Sequence, residues 1–551
     1  MMHHQIQIPK DQISAFTKSG LWPNRLITEY LDENLVTIPD QPAITEYRNG
    51  ARQPTQRSYL ELGLMVRRIA LGLATLGIGP GDVVAAQLPN WHHFTALYLA
   101  CVRIGAVFNP LMPIFRQREL AYMLSFGEAK TIIVPKSYRG FDYPGMIAEL
   151  RGKTSTLKDV FVIEGEGEES FDAYFVDRAW EKEFDADNLF AERKPGPNDV
   201  TLLMYTSGTT GEPKGVMHTH NTLISNIVKY VKRVDLGHED VVLMASPIAH
   251  LTGFLYGVMM PIMLGGRAVL MDVWNPDKAV HIISDEGVTF TMASTPFLSD
   301  LTNSPAVEEC DLNSLHTFLT AGAPIPRVLV QRASERLGVL VISCWGMTEN
   351  GGVTTTQRDD PPDKVFETDG KPLDGMEVRV VGNDGVQAPT GEEGSLEVRG
   401  MGSFAGYLKK PELYGTDDQG WFETGDLARM DTDGYIRITG RSKDVIIRGG
   451  ENIPVAEVEE LLYHHPAIQD VAIVAMPDER LGERGCAFTT LKTGECLTFV
   501  EMIAHLEAQK LTRNYLPERL EVIDQMPRTP SGKIQKFRLR EMAKTLSATT
   551  E

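Results

Sequence analysis

The sequence predicts an α/β fold in which a large domain of stacked αβ subdomains and a β-rich subdomain precede a small α+β domain. Two changes of pattern along the 551 residues support this prediction. Over roughly the first four hundred residues, short apolar runs alternate with amphipathic segments, which is typical of largely parallel sheets covered by helices. Closely spaced β-like runs begin near residue 370, and a compact α+β pattern begins near residue 440.

The first region contains a series of buried strands. The apolar run Val83–Leu88 predicts a strand, and the amphipathic segment Trp91–Ile104 predicts the helix that follows it. Further runs of strand length are Thr131–Val134, Val160–Ile163, Val241–Ala245, Ala268–Met271 and Thr289–Ala293. Residues 165–198 are polar and acidic, so they are predicted to form a loop-rich connection.

The second region is β-rich and spans about 370–440. Val378–Val381, Gly394–Val398 and Tyr435–Ile438 read as short strands with Gly and Asp turns between them. A polar, charged turn near 440 predicts the end of an N-terminal domain of residues 1–440. Beyond it, one segment of strand length lies between two of helical pattern, in the order Val455–His464, Ile468–Ala475 and Leu497–Lys510.

Composition excludes several classes of protein. The formal charge is 54 − 74 = −20, which argues against general nucleic-acid binding. No apolar run reaches membrane-spanning length, and the N-terminal residues lack a signal-peptide pattern, so a cytoplasmic location is expected. The five cysteines are odd in number and form no C-x-x-C pair, which predicts reduced thiols rather than a disulfide frame or metal site.

The segment Tyr205–Val216 carries three glycines, four Ser/Thr hydroxyls and Lys214 between an apolar run and a predicted helix near His220. Glycine allows close backbone approach, hydroxyls donate hydrogen bonds, and lysine supplies a positive charge. This composition predicts a loop that binds polyphosphate. The glycine and lysine spacing is not that of a Walker A loop. A flexible surface turn is the alternative.

Four later clusters have related chemistry: Trp345–Glu349, Trp421–Leu427, Gly440–Asn452 and Pro527–Lys536. In the first, Thr348 can bond a phosphate and Glu349 can hold Mg²⁺. In the second, Asp426 follows a glycine and can accept ribose hydroxyls. The fourth is a stiff loop that can project a single lysine into a site where negative charge develops. Taken singly, each segment could equally be a strand end, a turn, a linker or a basic tail.

Together and in this order, these segments resemble the adenylate-forming superfamily of acyl-CoA synthetases, adenylation domains and firefly-type luciferases. The resemblance covers essentially the whole chain. It implies a large domain and a small mobile C-terminal domain, here residues 444–551, joined by a hinge at 441–443 that includes Lys443. It also implies two half-reactions: a carboxylate attacks the α-phosphate of ATP, and a thiol then attacks the acyl-adenylate.

The resemblance assigns roles to individual residues. Those expected to hold the β/γ-phosphates are Thr206, Ser207, Gly208, Thr209, Thr210 and Lys214. Those expected around adenine are Gly322, Ala323, Pro324, Trp345 and Gly346. Thr348 is expected at the α-phosphate, Glu349 at Mg²⁺, and Asp426 with Arg441 at the ribose. Lys533 is expected to bridge carboxylate and phosphate during adenylation.

For the thiol step, the resemblance places Arg448, Gly449 and Gly450 near the pantetheine tunnel. Free coenzyme A is the expected acceptor, because no carrier-type segment follows Lys533; a carrier protein loaded in trans is the alternative. Candidates for the coenzyme A phosphates are Arg448, Lys536, Arg538 and Arg540, although each could be a solvated charge.

For the acid, His250 matches the position beside the carboxylate, and the expected apolar wall is Phe254, Leu255, Met347 and Val353. Gly253 and Gly257 are expected to leave room. In adenylation domains for amino acids, an Asp usually binds the α-amino group. The segment Ala249–Phe254 contains no such Asp, so an apolar acid is favoured over an amino acid. The pattern looks closest to ligases of short- and medium-chain fatty acids and of alicyclic acids such as cyclohexanecarboxylate, with aryl acids as the alternative.

The resemblance also raises regulation. Pro527 and Gly532-Lys533 are similar to the acetylated stretch of bacterial relatives, so a protein lysine acetyltransferase is an expected partner acting on Lys533.

Overall fold

The computed structural model describes residues 6–206, 213–322, 325–382, 384–448, 451–478, 480–509, 511, 513–529 and 532–547. Within these residues the strands, in chain order, are β1 (Pro42–Tyr47), β2 (Thr55–Ser58), β3 (Val83–Ala86), β4 (Val107–Pro110), β5 (Ala129–Pro135), β6 (Ser137–Tyr138), β7 (Phe141–Asp142), β8 (Asp159–Ile163), β9 (Val200–Thr206), β10 (Lys214–Thr219), β11 (Val241–Met244), β12 (Arg267–Met271), β13 (Phe290–Ala293), β14 (Thr317–Ala321), β15 (Leu340–Met347), β16 (Gly351–Thr355), β17 (Lys371–Pro372), β18 (Met376–Val381), β19 (Glu393–Gly400), β20 (Gly406–Tyr407), β21 (Phe422–Met430), β22 (Ile436–Arg441), β23 (Ile446–Arg448), β24 (Glu451–Ile453), β25 (Ile468–Asp478), β26 (Gly482–Leu491) and β27 (Arg519–Val522).

The α-helices of the same residues are α1 (Lys10–Lys18), α2 (Ile27–Thr37), α3 (Tyr59–Thr75), α4 (His92–Arg103), α5 (Gln117–Phe126), α6 (Tyr143–Arg151), α7 (Ala186–Arg193), α8 (His220–Val234), α9 (Leu251–Gly253), α10 (Met260–Leu264), α11 (Pro276–Glu286), α12 (Thr295–Asn303), α13 (Arg327–Leu337), α14 (Pro362–Glu367), α15 (Val455–Tyr463), α16 (Phe499–Ala508) and α17 (Lys536–Ser547). No helix of the described residues is both long and apolar enough to span a membrane.

Two large sheets carry the N-terminal part of the chain. One has the strand order β17-β16-β15-β14-β13-β11-β12-β1-β2 and the other β20-β10-β9-β4-β3-β5-β8. The first is parallel from β15 to β1 and antiparallel at both edges, whereas the second is parallel from β9 to its edge strand β8 and antiparallel from β9 to β20. The predicted α/β class with largely parallel sheets is therefore confirmed.

The two sheets share one apolar core and are also tied by a buried amide. The Asn90 side-chain nitrogen, just beyond β3, donates to the carbonyl oxygens of Met244 at 3.2 Å, Ser246 at 2.9 Å and Met271 at 3.1 Å. These carbonyls lie at or just after the carboxyl ends of β11 and β12. The carboxyl ends of strands from both sheets are thus fixed side by side, which is where ligands bind in open parallel sheets.

The β-like region after residue 370 forms the four-stranded antiparallel sheet β18-β19-β21-β22, as the spacing predicts. The last residues, 446–547, are called here the C-terminal unit. Its sheet has the order β24-β23-β26-β25 with β27 beside β26, and the helices α15 and α17 pack on β25. The residues before it, 6–441, are called the large unit.

The expected loop-rich connection at 165–198 is wrong in part, because it includes the helix α7. The side chain of Asp185 accepts the backbone N–H of Asn188 at 3.2 Å and so caps its start. Leu189 and Phe190 on this helix pack beside buried Trp180. The acidic composition of this segment obscured a short amphipathic helix that packs beside Trp180.

Candidate functional site

The loop at Tyr205–Val216 is a hairpin connection. Thr206 ends β9 and pairs across the ladder with Lys214, the first residue of β10. The Lys214 Nζ lies 4.8 Å from the centroid of the Tyr407 ring. Ser207, Gly208, Thr209 and Thr210 lie outside the described residues, as do Ala323 and Pro324. Gly322, just after β14, is exposed and has a φ of +81°, a conformation that favours glycine.

Buried Trp345 and Asp426 form one polar group with the partly exposed Arg441. The Trp345 indole donates from Nε1 to Asp426 Oδ2 at 2.9 Å, and Arg441 Nε lies 2.8 Å from Asp426 Oδ1. Asp426 and Arg441 pair directly across β21 and β22, and Gly425 before the aspartate has a φ of +74°. The sheet therefore aims a carboxylate with both oxygens hydrogen-bonded at the end of β15.

Glu349 lies in the tight turn between β15 and β16 and is buried. Its carboxylate accepts the Tyr407 hydroxyl at 2.7 Å. Burial raises the pKa of Glu349, although Tyr407 and the positive charges of Lys214 and Arg441 oppose that rise. A buried carboxylate whose charge is only partly offset fits a divalent cation, so the donor chemistry at Glu349 is compatible with Mg²⁺.

A histidine that the sequence did not point to bonds the backbone of the neighbouring Thr348. His218 Nε2 lies 2.7 Å from the Thr348 carbonyl oxygen, and its Nδ1 lies 3.1 Å from the Thr222 hydroxyl. Burial lowers the pKa of His218 to about 4, so it is neutral at pH 7 and donates from Nε2. His218 lies on β10 between Met217 and Thr219, where nothing in the sequence distinguishes it from a core residue.

Lys533 of the C-terminal unit faces the large unit at this place. Burial, followed by the nearby charge of Arg441, lowers the pKa of Lys533 to about 8 against the opposing charges of Asp426 and Asp444. Burial, followed by the charge of Lys533, lowers the pKa of His250 to about 4. The structure thus brings Lys533 into electrostatic range of the predicted His250, Asp426 and Arg441.

The loop that carries Lys533 rests on the large unit. Gly532 has a φ of +86°, and a Cβ placed on it would lie 2.6 Å from the Ser294 Oγ and 3.3 Å from Pro296. Glycine at this position permits both the backbone conformation and the close contact. Ser294 and Pro296 lie at the start of α12, and no sequence motif pointed to them as residues of the site.

The residues predicted to line the acid are mostly packed into the core. The Phe254 ring is fully buried, 4.7 Å from that of Tyr98, and Val353 on β16 is also fully buried. The expectation that Gly253 and Gly257 leave room for the acid is wrong. A Cβ on Gly257 would lie 2.4 Å from Met244 Cγ, and one on Gly253 would lie 2.3 Å from the Pro247 carbonyl oxygen.

The space beside these two glycines is filled by other atoms of the protein, the Met244 side chain and the Pro247 backbone. Met347 and His250 keep partial exposure, so they are the predicted acid-side residues that remain open. Gly346 is also partly exposed, and a Cβ there would meet the Gly351 carbonyl oxygen at 2.1 Å, which explains glycine in this hairpin.

Two of the residues predicted for the coenzyme A phosphates form ion pairs within the C-terminal unit. Lys443 lies by its backbone in the 3-10 turn Ser442–Asp444. Arg448 pairs with Glu518 at 2.9 Å and Lys536 with Glu459 at 2.7 Å, all within the C-terminal unit. Gly449 and Gly450 lie outside the described residues.

A separate buried group has metal-ligand composition: Glu46, His92 and His93 offer atoms within 4.8 Å of one another. The Glu46 carboxylate already contacts Arg48 Nε and lies 2.8 Å from His92 Nδ1. Its charge is therefore balanced by side chains, and burial lowers the pKa of His93 to about 4. We read it as a structural ion network.

Comparison with known families fits this arrangement. The model of the AMP-binding enzyme family matches residues 31–408, and that of the AMP-binding enzyme C-terminal domain matches residues 457–533. The chain therefore belongs to the AMP-binding enzyme family, the adenylate-forming acyl-CoA synthetase superfamily. It is an AMP-forming acyl-CoA ligase that uses ATP, coenzyme A and a small carboxylic acid.

Two curated relatives illustrate the range of this family. The medium-chain fatty-acid–CoA ligase of Escherichia coli K12 is 36% identical over 96% of this chain and 92% of its own length. The 2,3-dihydroxybenzoate-AMP ligase of Bacillus subtilis 168 is 33% identical over 97% of this chain and 96% of its own. Among solved structures, ATP-bound MatB from Rhodopseudomonas palustris is 27% identical, with a TM-score of 0.82 over 95% of this chain and 100% of its own.

Proposed function

We propose that this ligase activates an apolar monocarboxylic acid, either alicyclic such as cyclohexanecarboxylate or a medium-chain fatty acid. The observation that carries the proposed mechanism is that the loop of Lys533 contacts Ser294 and Pro296 and brings Lys533 within electrostatic range of His250, Asp426 and Arg441. Support for the class of acid comes from the 36% identical relative, which is named a medium-chain fatty-acid–CoA ligase. Phe254, Val353 and Met347, on the acid side, are also uncharged.

In the first half-reaction, a carboxylate oxygen attacks the α-phosphorus of ATP, and the bond to the bridging oxygen breaks to release pyrophosphate. No base is needed because the acid is already an anion. The barrier lies in bringing two anions together, so positioned positive charge accelerates the step. Lys533 supplies that charge, Thr348 contacts the α-phosphate, and neutral His250 lies beside the carboxylate without adding a second buried cation.

The nucleotide is held by the same group of residues. Asp426 accepts the ribose hydroxyls, with Arg441 beside it, and Trp345 covers the adenine together with Gly322, Ala323, Pro324 and Gly346. Thr206, Ser207, Gly208, Thr209, Thr210 and Lys214 hold the β/γ-phosphates. Glu349 would hold Mg²⁺, which would neutralise phosphate charge.

In the second half-reaction, the coenzyme A thiol sulfur attacks the acyl carbon, loses its proton, and displaces AMP. We propose that the C-terminal domain, residues 444–551, first rotates about residues 441–443. This motion would withdraw Lys533 and bring Arg448, Gly449 and Gly450 to the thiol. Lys443→Pro should then leave adenylation intact and slow thioester formation.

The function is tested by supplying ATP, Mg²⁺ and coenzyme A with cyclohexanecarboxylate, octanoate, benzoate or salicylate, and measuring AMP and acyl-CoA together. The proposal expects the highest kcat/KM with one of the first two acids. A higher kcat/KM with either aryl acid would overturn the choice of acid. Acyl-AMP that never reaches coenzyme A would instead favour an adenylation module loading a carrier protein in trans.

An aryl acid is the second candidate, because a relative named as a 2,3-dihydroxybenzoate-AMP ligase is 33% identical over nearly the whole chain. A buried site that bonds a ring hydroxyl should reject acids that lack it. Comparing benzoate with salicylate in the same panel separates this candidate from a site that selects only by apolar shape.

A lysine acetyltransferase acting on Lys533 is a further part of the proposal, as is a cytoplasmic location. A pKa lowered to about 8 leaves part of Lys533 as the neutral amine, which is the form that accepts an acetyl group. Acetylated protein should lose adenylation; full activity with Lys533 acetylated would refute this regulation.

A further inference from the structure

A carboxylate of the C-terminal unit contacts the large unit away from Lys533. Glu460 on α15 accepts Arg437 Nη2 of β22 at 2.7 Å. The backbone amide of Arg327, the first residue of α13, also donates toward Glu460. Both partners belong to the large unit, so Glu460 connects the two units directly.

The surface that receives Glu460 is held in place by the large unit itself. Asp369 is buried, lies 3.7 Å from Arg437 Nη1 and 3.4 Å from Arg327 Nη2, and accepts the backbone N–H of Ile438 at 2.8 Å. The N-terminal end of α13 has no side-chain cap of its own. Two arginines and an uncapped helix N-terminus therefore form a receptor for one carboxylate.

This contact and the loop of Lys533 lie on different parts of the boundary between the units. The loop seats Gly532 on Ser294 and Pro296 at the start of α12, whereas Glu460 binds at the start of α13. Any rotation that withdraws Lys533 must also separate Glu460 from Arg437, because Arg437 precedes residues 441–443 and Glu460 follows them.

We propose that Glu460 is a positioning residue that holds the C-terminal unit where Lys533 reaches the site, and so favours adenylation over thioester formation. This inference rests on the proposed two-step function. Glu460 touches no reacting atom; it acts through the placement of Lys533. Losing it shifts the balance between the two arrangements of the units, since a charge-assisted contact is present in only one of them.

The first test needs no substrate. Hydrogen exchange of the free enzyme is measured in Glu460→Ala, Arg437→Ala and the control Arg399→Ala, whose partner Glu377, 2.9 Å away, lies in the same sheet of the large unit. Both test variants should speed exchange at the start of α12, under Gly532, by about tenfold. Because α12 packs against α13, exchange along the rest of α13 is followed as well: a loss of local structure around α13 would speed exchange throughout that helix, whereas release of Gly532 would not.

The second test separates the half-reactions. In Glu460→Ala, pyrophosphate release without coenzyme A should fall about tenfold, whereas thiolysis of supplied acyl-adenylate should hold or rise. Glu460→Asp should recover part of the adenylation rate. A variant that merely folds poorly would lose both half-reactions together, as a thermal melt would also show.

The two proposals fail in different ways. Unchanged exchange at the start of α12 in both variants, or equal loss of both half-reactions, would overturn the role of Glu460. If the wild-type protein makes no acyl-adenylate from any acid, the proposed function fails, while the exchange result still decides whether Glu460 holds the units together.

Discussion

The nucleotide side and the acid side of the site are built in different ways. On the nucleotide side, polar groups bond one another at set distances: Trp345 to Asp426, Asp426 to Arg441, and Tyr407 to Glu349. On the acid side, Phe254 and Val353 are packed into the core. Charges and the directions of hydrogen bonds define the nucleotide side, whereas the volumes of packed side chains define the acid side. The type of reaction is therefore easier to infer from the residues than the acid on which the enzyme acts.

Lys533 faces both sides, so its removal should have the largest effect. Lys533→Ala should slow adenylation by about 100-fold or more, because it deletes positive charge aimed at the transition state. Thiolysis of a supplied acyl-adenylate should change little. Measuring pyrophosphate release and thiolysis separately tests this, with the exposed Lys544→Ala as control; equal losses in both steps would refute the role.

On the nucleotide side, Asp426→Asn should raise the KM for ATP about tenfold, because it removes a charged acceptor and leaves Arg441 without its partner. The KM for the acid should stay close to its wild-type value. Steady-state kinetics with each substrate varied in turn decides this, and Glu377→Gln on another strand of the same sheet is the matched control. An equal rise in both KM values would mean that the two sides are not separable.

Of the two half-reactions, only adenylation should depend on the protonation of Lys533. Lys533 acts as the ammonium, so its activity is present below its pKa of about 8 and is lost as pH rises through that value. The adenylation kcat/KM should fall about fourfold between pH 7 and 8.5, since that parameter reports the free enzyme. Thiolysis does not use the ammonium. A flat adenylation profile to pH 9.5 would contradict the lowered pKa.

The acid side should respond through packing. In Gly257→Ala the new methyl group meets Met244, so the free energy of unfolding should fall by about 1–3 kcal/mol. The KM for ATP should not change. Thermal melts compare it with Gly237→Ala, where no atom lies within 4 Å of the added Cβ. Equal stability of the two variants would show that the space over Gly257 is open.

Much of the fold followed from local pattern. The runs that begin at Val83 and Ala268 form the strands β3 and most of β12, because short buried runs between helices have few other ways to satisfy their backbone. The helix α7 escaped notice, since its contact with Trp180 is made by Leu189 and Phe190 in an otherwise acidic segment. A few apolar residues decided that structure against the average composition.

The site divided in the same way. Asp426 and Lys533 lie in glycine-containing motifs whose residue types predict their chemistry. The structure brings the two side chains into electrostatic range of each other. His218 and Ser294 were missed, because their roles depend on what folds against them rather than on their neighbours in sequence. Gly257 was misread for the same reason: Met244, which fills the space above it, lies thirteen positions away on another element.

The most direct test of the account follows the oxygen atoms of the acid. With a carboxylate labelled with ¹⁸O at both oxygens, attack on the α-phosphorus and later displacement by coenzyme A must leave one labelled oxygen on AMP. Mass spectrometry of the AMP should therefore show one ¹⁸O per molecule, formed together with acyl-CoA. Unlabelled AMP, or label found in pyrophosphate or inorganic phosphate, would contradict an acyl-adenylate intermediate.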